Sequence, residues 1–236
     1  MIPTMILSAS QPYFAPFPGF FYKAHHSDIF LILDEVQFPR GTTWITRNRF
    51  KGDRGALWIT IPVWKKGLGF QSIEEVKICD EGRWRRKHLF TLKNTYGNAP
   101  YLKDSMDFLE WIFSERFERI IDLNMAIIRY LMGQLRIQSK IQLISELDIG
   151  EKGDRLLIGA CKSLKASRFL AQTPARKYLD RDLFRKAGID LEFINVPTMI
   201  YPQLWGDFIS NLSAFDLLFN CGPKAHDVLF AGNRLP

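Results

Sequence analysis

Residues 5–35 read MILSASQPYFAPFPGFFYKAHHSDIFLILDE, and this stretch decides the fold. An apolar run begins at residues 5–7 and stops at a loop, 11–19, that is rich in proline. Pro18 can open a helix, because its missing N–H would have no partner in the first turn. Residues 29–33 are continuously apolar, as in a strand buried on both faces. Strand, loop, short helix and strand predict a βαβ unit with parallel strands and a right-handed crossover.

The middle of the chain has a different pattern. Residues 57–63 and 73–78 are predicted to be two strands of an antiparallel excursion. Apolar residues then recur at spacings of three and four through residues 83–136, which predicts helices, with a break at 97–100.

After residue 140 strands and helices alternate again. The predicted elements are a strand at 141–144, a helix at 154–164, a strand at 168–170, a helix at 181–187 ended by Gly188, a strand at 191–196 and a final helix at 212–219. The fold class is therefore α/β, with a parallel or mixed central sheet flanked by helices. It is Rossmann-like and nucleotidyltransferase-like by analogy, and has a mainly helical insertion at roughly 83–136. Because no repeat or long linker interrupts the chain, we expect a single domain over 1–236.

Composition narrows the function classes. Hydrophobic residues make up 47% and charged residues 24% of the chain, as in an ordinary globular protein. No run approaches the roughly 20 apolar residues of a membrane helix, and the first ten residues lack the basic leader and cleavage site of a signal peptide. Cys79, Cys161 and Cys221 are odd in number and widely spaced, which argues against a disulfide framework or a zinc site. We expect a cytoplasmic protein.

The formal charge of +7 suits nucleic acid, an anionic membrane surface or phosphorylated small molecules. The basic residues are spread along the chain, and no nucleic-acid-binding motif is present. Two interpretations stay open: a solvated basic surface, or phosphate binding by one or two clusters of basic residues. No histidine pattern typical of a metal site occurs, so we expect no metal ligands.

The loop after the first strand is the first candidate site. Ligands of open α/β sheets bind at the carboxyl ends of strands, near helix N-termini. Gln11 can donate and accept hydrogen bonds, Tyr13 offers a ring with a polar tip, and Gly19 would allow close approach. The alternative is a structural loop stiffened by proline. The loop matches neither the phosphate-binding GxxxxGK[ST] pattern nor GxGxxG.

Two further candidates follow the second predicted strand. Asp34 and Glu35 point to opposite sides of an extended segment, so one of them could act as a base, a ligand or an amine anchor, or both could simply be solvated. Arg47, Asn48 and Arg49 place two guanidinium groups around an amide, which suits bidentate recognition of phosphate or carboxylate. If this segment is extended, both arginines share a face; the alternative is two surface arginines packed on a sheet.

The remaining candidates lie near the C-terminal end of the chain. Lys177 and Tyr178 follow a predicted strand, and Gln203 lies in a Tyr-Pro-Gln segment. Asp216 and Asn220 share a helical face because they are four residues apart. A carboxylate within an apolar stretch needs a partner, so Asp216 is either a structural anchor or a site residue.

Several short segments, in order along nearly the whole chain, resemble the WbqC-like protein family. They are Gln11-Pro12-Tyr13, Asp28-Ile29-Phe30, Asp34-Glu35-Val36-Gln37-Phe38, Arg47-Asn48-Arg49, Thr60-Ile61-Pro62-Val63, Trp84 with Lys87-His88, Ser145-Glu146-Leu147, Asp154-Arg155-Leu156, Lys177-Tyr178-Leu179-Asp180, Tyr201-Pro202-Gln203 and residues 212–222. The resemblance implies a role in O-antigen, lipopolysaccharide or other surface polysaccharide biosynthesis, or in natural-product biosynthesis. It implies no mechanism.

Together these features predict a transferase or ATP-dependent ligase-like enzyme that acts on a nucleotide sugar or similar metabolite, for instance by amide-forming acyl or aminoacyl transfer. ATP with magnesium is one candidate cofactor. Arg47, Arg49 and Lys177 would stabilise phosphate charge, and Asp34 would orient or deprotonate the nucleophile. The substrate-binding candidates are Gln11, Tyr13, Gly19, Gln37, Asn48, Arg49, Tyr178, Gln203, Asp216 and Asn220. The alternatives are a non-catalytic binding or scaffold protein and an RNA-binding protein; nucleic acid is not expected as a partner except as a charged tRNA donor.

Overall fold

The computed structural model describes residues 4–230. Backbone contacts divide these residues into two compact units. The first, called the sheet unit below, contains residues 4–11, 19–35 and 137–197; the second, the hairpin unit, contains residues 12–18, 36–136 and 198–230. The expected single domain stays a prediction.

Seven strands lie in the described residues: β1 (Ile6–Ser10), β2 (Ile29–Ile32), β3 (Arg47–Gly52), β4 (Gly55–Thr60), β5 (Lys140–Leu143), β6 (Arg168–Gln172) and β7 (Asp190–Ile194). Eight α-helices accompany them: α1 (Pro18–His25), α2 (Trp84–Thr95), α3 (Met106–Ser114), α4 (Ile120–Gln134), α5 (Asp154–Ser163), α6 (Arg181–Lys186), α7 (Ala214–Cys221) and α8 (Ala225–Phe230). Within residues 4–230, none of the helices is both long and apolar enough to cross a membrane.

The sheet unit contains a five-stranded parallel sheet, which confirms the predicted α/β fold class. Its strand order is β5-β2-β1-β6-β7. Numbered within the sheet alone, this order is 3-2-1-4-5, as in the first five strands of the doubly wound sheet of dinucleotide-binding proteins. All four residues of β2 are buried, as the continuous apolar run predicted. The strand order changes direction between β1 and β6, where ligands of such sheets usually bind.

The local signals in this unit explain the helix ends. Helix α1 begins at Pro18, as predicted. The Asp180 carboxylate accepts hydrogen bonds from the backbone N–H groups of Asp182 (2.8 Å) and Leu183 (3.3 Å), so it caps the N-terminus of α6. Gly188 has φ +76°, and this left-handed conformation ends the helix, again as predicted.

The hairpin unit corrects the prediction of strands at 57–63 and 73–78. Strand β4 ends at Thr60 and pairs with β3 in an antiparallel hairpin, not with residues 73–78. Ile73–Glu75 forms a 3₁₀ helix, because the Glu75 carboxylate accepts the Ser72 backbone N–H at 2.8 Å and turns the chain. Only an isolated bridge joins Val63 to Ile78.

Three helices, α2, α3 and α4, occupy the segment in which helical spacing was recognised, and the break at 97–100 separates α2 from α3. The helix predicted at 212–219 corresponds to α7 but is not the final helix, because α8 follows it. Gly222 has φ +51° and its backbone lies against the Tyr101 ring, so no side chain fits there. This glycine ends α7 and the chain resumes a helix at α8.

Candidate functional site

The exposed face of the β3–β4 hairpin carries the predicted arginine pair. Arg49 pairs with Trp58 and Arg47 pairs with Thr60 across the antiparallel ladder. Directly opposed residues lie on the same face, and so do residues two apart in one strand. The prediction that Arg47 and Arg49 share a face is therefore confirmed. Trp58 lies on the same face, which the sequence did not indicate.

The guanidinium groups of both arginines lie over tryptophan rings. The Arg47 guanidinium carbon lies 3.5 Å from the centre of the Trp58 ring, and that of Arg49 lies 5.7 Å from the Trp44 ring. The Trp44 and Trp58 rings are 5.6 Å apart, tilted by 30°, and remain 41% and 42% exposed. We call Trp44, Arg47, Arg49 and Trp58 the Arg–Trp face. A guanidinium stacked on an aromatic ring is held in place while its N–H groups remain available.

The charge of this face is not neutralised by protein carboxylates. In the part of the chain that the structure describes, neither Arg47 nor Arg49 forms an ion pair. Arg49 donates from Nη2 to the backbone carbonyls of Ser210 (3.3 Å) and Asn211 (3.2 Å). The buried Nε atoms of Arg47 and Arg49 have no partner among the described residues. Both arginines nevertheless remain partly exposed, and guanidinium groups can recognise a phosphate or carboxylate.

Asn48 projects to the opposite, buried side of β3. Its amide nitrogen donates to the backbone carbonyls of Phe14 (3.0 Å) and Ala15 (2.7 Å), and its Oδ1 accepts the Arg49 N–H at 2.8 Å. Ala15 has φ +42°, an unusual value for a residue with a side chain, and these bonds hold it there. Asn48 thus fixes the loop that contains Tyr13. Its predicted contact with substrate stays a prediction.

Asn124 supports the same loop and was not recognised in the sequence. From α4 it donates to the backbone carbonyls of Pro12 and Ile45, both at 2.8 Å, and it is fully buried. Tyr13 itself is partly buried, and burial raises the pKa of its hydroxyl. The apolar periodicity of the helix does not identify Asn124, because a single polar residue at a core-facing position only interrupts that periodicity.

Asp216 is the centre of a buried polar cluster. The hydroxyls of Tyr96 and Tyr201 donate to its two carboxylate oxygens, at 2.7 and 2.8 Å. The Tyr96 hydroxyl also accepts the backbone N–H of Lys51 at 2.6 Å. Burial raises the pKa of Asp216, and burial followed by the Asp216 charge raises the pKa of both tyrosines. The predicted need of Asp216 for partners is confirmed. We call Lys51, Tyr96, Tyr201 and Asp216 the Asp216 cluster.

The cluster anchors the segment that precedes α7. The buried Lys51 ammonium donates to the backbone carbonyl of Asp207. Gln203 closes a loop with Ile209, donating to its carbonyl and accepting its N–H, both at 2.9 Å. Asn220 donates to the backbone carbonyl of Asp216 at 2.7 Å, as expected for residues four apart on a helix. These contacts are internal to the protein; the predicted substrate contacts of Gln203, Asp216 and Asn220 stay predictions.

The sheet unit holds Gln11, Gly19, Asp34, Lys177 and Tyr178. Asp34 follows β2 and Gln11 follows β1, so both lie at the carboxyl edge of the sheet, as predicted. Lys177 and Tyr178 follow β6 and are exposed. The Gly19 carbonyl accepts a hydrogen bond from Gln172 at 2.8 Å. The remaining predicted residues, including the exposed Gln37, belong to the hairpin unit.

Asp34 is buried instead of solvated. Its carboxylate accepts two hydrogen bonds from Ser145, from the hydroxyl at 2.6 Å and from the backbone N–H at 3.2 Å. Ser145 follows β5, so this contact joins the ends of two neighbouring strands. Asp34 therefore has an anchoring role that the sequence did not predict. Its role as a base stays a prediction.

Lys23 is a buried cation that the sequence did not single out. Its ammonium donates to the backbone carbonyl of Ala9 at 2.5 Å and lies 5.7 Å from the centre of the Phe30 ring. Burial lowers the pKa of Lys23 to about 8. An amine with this pKa is partly neutral in mildly alkaline solution.

Within residues 4–230, the cysteine thiols and the side chains that could bind a metal ion form no further candidate site. Cys79, Cys161 and Cys221 are free thiols, and burial raises the pKa of Cys161 to about 12 and that of Cys221 to about 11. Among the same residues no group of three or more His, Cys, Asp or Glu side chains is arranged to hold a metal ion.

Comparison with known proteins agrees with the resemblance seen in the sequence. The model of the WbqC-like protein family matches residues 11–228. An uncharacterized protein of Mycobacterium tuberculosis is 29% identical over 221 residues, which cover 93% of this chain and 95% of that protein. No solved structure matches the chain. Every predicted site residue, from Gln11 to Asn220, lies inside the family match.

Proposed function

This chain belongs to the WbqC-like protein family, and from that premise we propose a biosynthetic transferase that binds a phosphate-bearing small metabolite such as a nucleotide sugar. The observation that carries the proposal is the Arg–Trp face. It offers two guanidinium groups that have no carboxylate partner within residues 4–230, beside two indole rings that remain partly exposed. Guanidinium groups recognise phosphate oxygens in a bidentate manner, and indole rings stack on bases and sugars.

The register of the hairpin supports two phosphate contacts. Arg47 and Arg49 are two residues apart on one strand, so their Cα atoms are separated by about 6.8 Å. Two guanidinium groups on one face can contact the successive phosphoryl groups of a nucleoside diphosphate. Arg47 is the stronger assignment, because Arg49 already donates to two backbone carbonyls. Asn48 and Asn124 would contribute by fixing the neighbouring loop and strand.

The finer part of the proposal is acyl or aminoacyl transfer to an amino sugar or a similar amine. In that reaction the amine nitrogen bonds to the acyl carbon, the bond from that carbon to the leaving group breaks, and the amine loses a proton to a base. Asp34 is the carboxylate proposed for the base or for orienting the nucleophile. Lys177, which is exposed, is proposed to stabilise phosphate charge.

A non-catalytic binding protein is the second candidate, and one observation favours it. The Asp34 carboxylate is buried and already accepts two hydrogen bonds from Ser145. A base must reach the proton that it removes. If no other group serves, the protein would bind the metabolite without converting it.

A ligand screen followed by product detection tests both candidates. Thermal unfolding is measured with nucleotides, nucleotide sugars and acyl-CoA, with and without magnesium, because a ligand of the native state raises the unfolding temperature. We expect one nucleotide class to stabilise the wild-type protein and not Arg47→Gln. Mass spectrometry of mixtures that contain this ligand and an amine acceptor then shows a product for a transferase and none for a binding protein. No stabilisation by any phosphate-bearing compound would contradict the proposal.

A further inference from the structure

The segment of the hairpin unit that contains the Arg–Trp face is strongly positive. Residues 36–72 contain seven Lys and Arg side chains and one carboxylate, Asp53, so they carry +6 of the chain's formal charge of +7. Within the described residues, none of these seven cations forms an ion pair. Lys51 is buried in the Asp216 cluster, and the other six are at least partly exposed. A concentration of unpaired cations attracts a polyanion.

Exposed rings alternate with these cations beyond the Arg–Trp face. The Arg40 guanidinium carbon lies 4.0 Å from the centre of the Phe70 ring, and Phe70 is 67% exposed. Trp64 is 45% exposed, and the neighbouring Lys65 ammonium lies 4.7 Å from the centre of the Phe38 ring. Neighbouring exposed apolar side chains rimmed by polar groups are a feature of surfaces that bind a ligand or a partner.

Hydrogen bonds to the backbone place these residues near the chain segment that leads to Trp44. Lys65 donates to the backbone carbonyl of Gly41 at 3.3 Å, and the Phe38 N–H donates to the carbonyl of Gln71 at 2.8 Å. Trp44 is three residues after Gly41, so their Cα atoms are at most about 11 Å apart. Lys65 therefore lies near the segment that contains Trp44, and Arg40, which directly precedes Gly41, lies against Phe70. We call these three residues the Arg40 extension.

We propose that the Arg–Trp face and the Arg40 extension together bind a single strand of nucleic acid. Cations that follow a phosphodiester backbone, interleaved with rings on which bases stack, are the features of single-strand binding. A small metabolite would occupy the Arg–Trp face alone and leave Phe70 and Arg40 without a ligand. This inference rests on the proposed function, because the Arg–Trp face forms one end of the surface.

The affinity for a labelled 12-nucleotide RNA and for the DNA of the same sequence, measured by fluorescence anisotropy at several salt concentrations, tests this proposal. The double variant Arg40→Gln/Lys65→Gln removes two phosphate contacts and should bind about tenfold more weakly or worse. Its slope of log affinity against log salt should be shallower by about 1.4, at about 0.7 per phosphate on a single strand. The matched control Lys152→Gln/Lys162→Gln removes two exposed charges from the sheet unit and should leave both quantities unchanged.

Phe70→Ala separates stacking from charge. It should weaken binding about tenfold with no change in the salt slope, because it removes a ring and no cation. Equal binding of heparin and RNA, together with normal affinity of Phe70→Ala, would replace the nucleic acid by an anionic polysaccharide and overturn the inference. So would the absence of RNA and DNA binding by the wild-type protein. If the wild-type protein binds neither RNA nor DNA but binds nucleoside diphosphates through Arg47, the proposed function stands and only this inference fails. If it does not bind nucleoside diphosphates either, the proposed function and this inference both fail.

Discussion

The guanidinium group of Arg47 stacks on the indole of Trp58, with 3.5 Å between the guanidinium carbon and the ring centre. The two residues come from different strands of the hairpin and from opposite ends of a 12-residue stretch. This contact orients a cation that has no carboxylate partner among the described residues, and it leaves Trp58 partly exposed. The proposed phosphate recognition depends on this pair.

Replacing Arg47 by lysine tests the geometry separately from the charge. Arg47→Lys keeps one positive charge but loses the planar fork and its stacking on Trp58. We expect affinity for nucleoside diphosphates to fall about tenfold, measured by calorimetric titration. The free energy of unfolding, measured with urea, should change by less than about 1 kcal/mol, because the site is at the surface. Affinity equal to that of the wild type would show that only charge matters there.

The Asp216 cluster should behave as one stabilising unit. Asp216→Ala leaves two tyrosine hydroxyls buried without their acceptor and should lower the free energy of unfolding by about 3 kcal/mol. Tyr201→Phe should cost about 1–2 kcal/mol. Because Tyr201 bonds directly to Asp216, the double variant should lose less than the sum of the two single losses. Additive losses in urea unfolding would contradict the shared network.

The contact between Asp34 and Ser145 predicts a different signature. If Asp34 anchors the ends of β2 and β5, Ser145→Ala should lower the free energy of unfolding by about 1 kcal/mol and Asp34→Ala by more. The effect of Ser145→Ala should disappear in the Asp34→Ala background, as a thermodynamic cycle would show. If the two losses of unfolding free energy are additive, Asp34 does not anchor the strand ends through Ser145.

Lys23 predicts a dependence of stability on pH. Burial lowers the pKa of Lys23 to about 8 in the folded protein, from its ordinary value of 10.5. Between these two values the unfolded chain holds more protons, so the free energy of unfolding rises with pH across this window. The wild-type protein should gain about 3 kcal/mol relative to Lys23→Met between pH 7.5 and 10.5. Urea unfolding at both pH values measures this, and the titrating tyrosines cancel because both proteins contain them. Parallel behaviour of the two proteins would show that Lys23 does not carry the shifted pKa.

The sequence predicted the sheet unit well, because its signals are local. Pro18 and Gly188 mark helix ends directly, and the apolar run of β2 needs no knowledge of its neighbours. The pairing of β3 with β4 was missed, because Arg47–Gly52 is mostly polar and offers no apolar alternation. Residues 73–78 have a strand-like composition, yet the Ser72–Glu75 contact turns the chain there.

The candidate site was only partly predictable for the same reason. The shared face of Arg47 and Arg49 follows from the period of a strand, and the demand of Asp216 for partners follows from the cost of burying charge. Tyr96 lies 120 residues from Asp216 in sequence, so no spacing rule connects them. The Trp58 contact also depends on register, which the sequence did not specify.

The most direct test of the central claim is calorimetric titration of ADP, CDP, GDP and UDP into the wild-type protein, Arg47→Gln and the control Lys162→Gln. The proposal predicts that at least one of these nucleotides binds the wild-type protein and the control equally. It also predicts that Arg47→Gln binds this nucleotide at least about tenfold more weakly, because the Arg47 guanidinium is proposed as the main phosphate contact. Equal affinity for Arg47→Gln and the wild type, or no binding of any nucleoside diphosphate, would contradict the claim that the Arg–Trp face recognises phosphate.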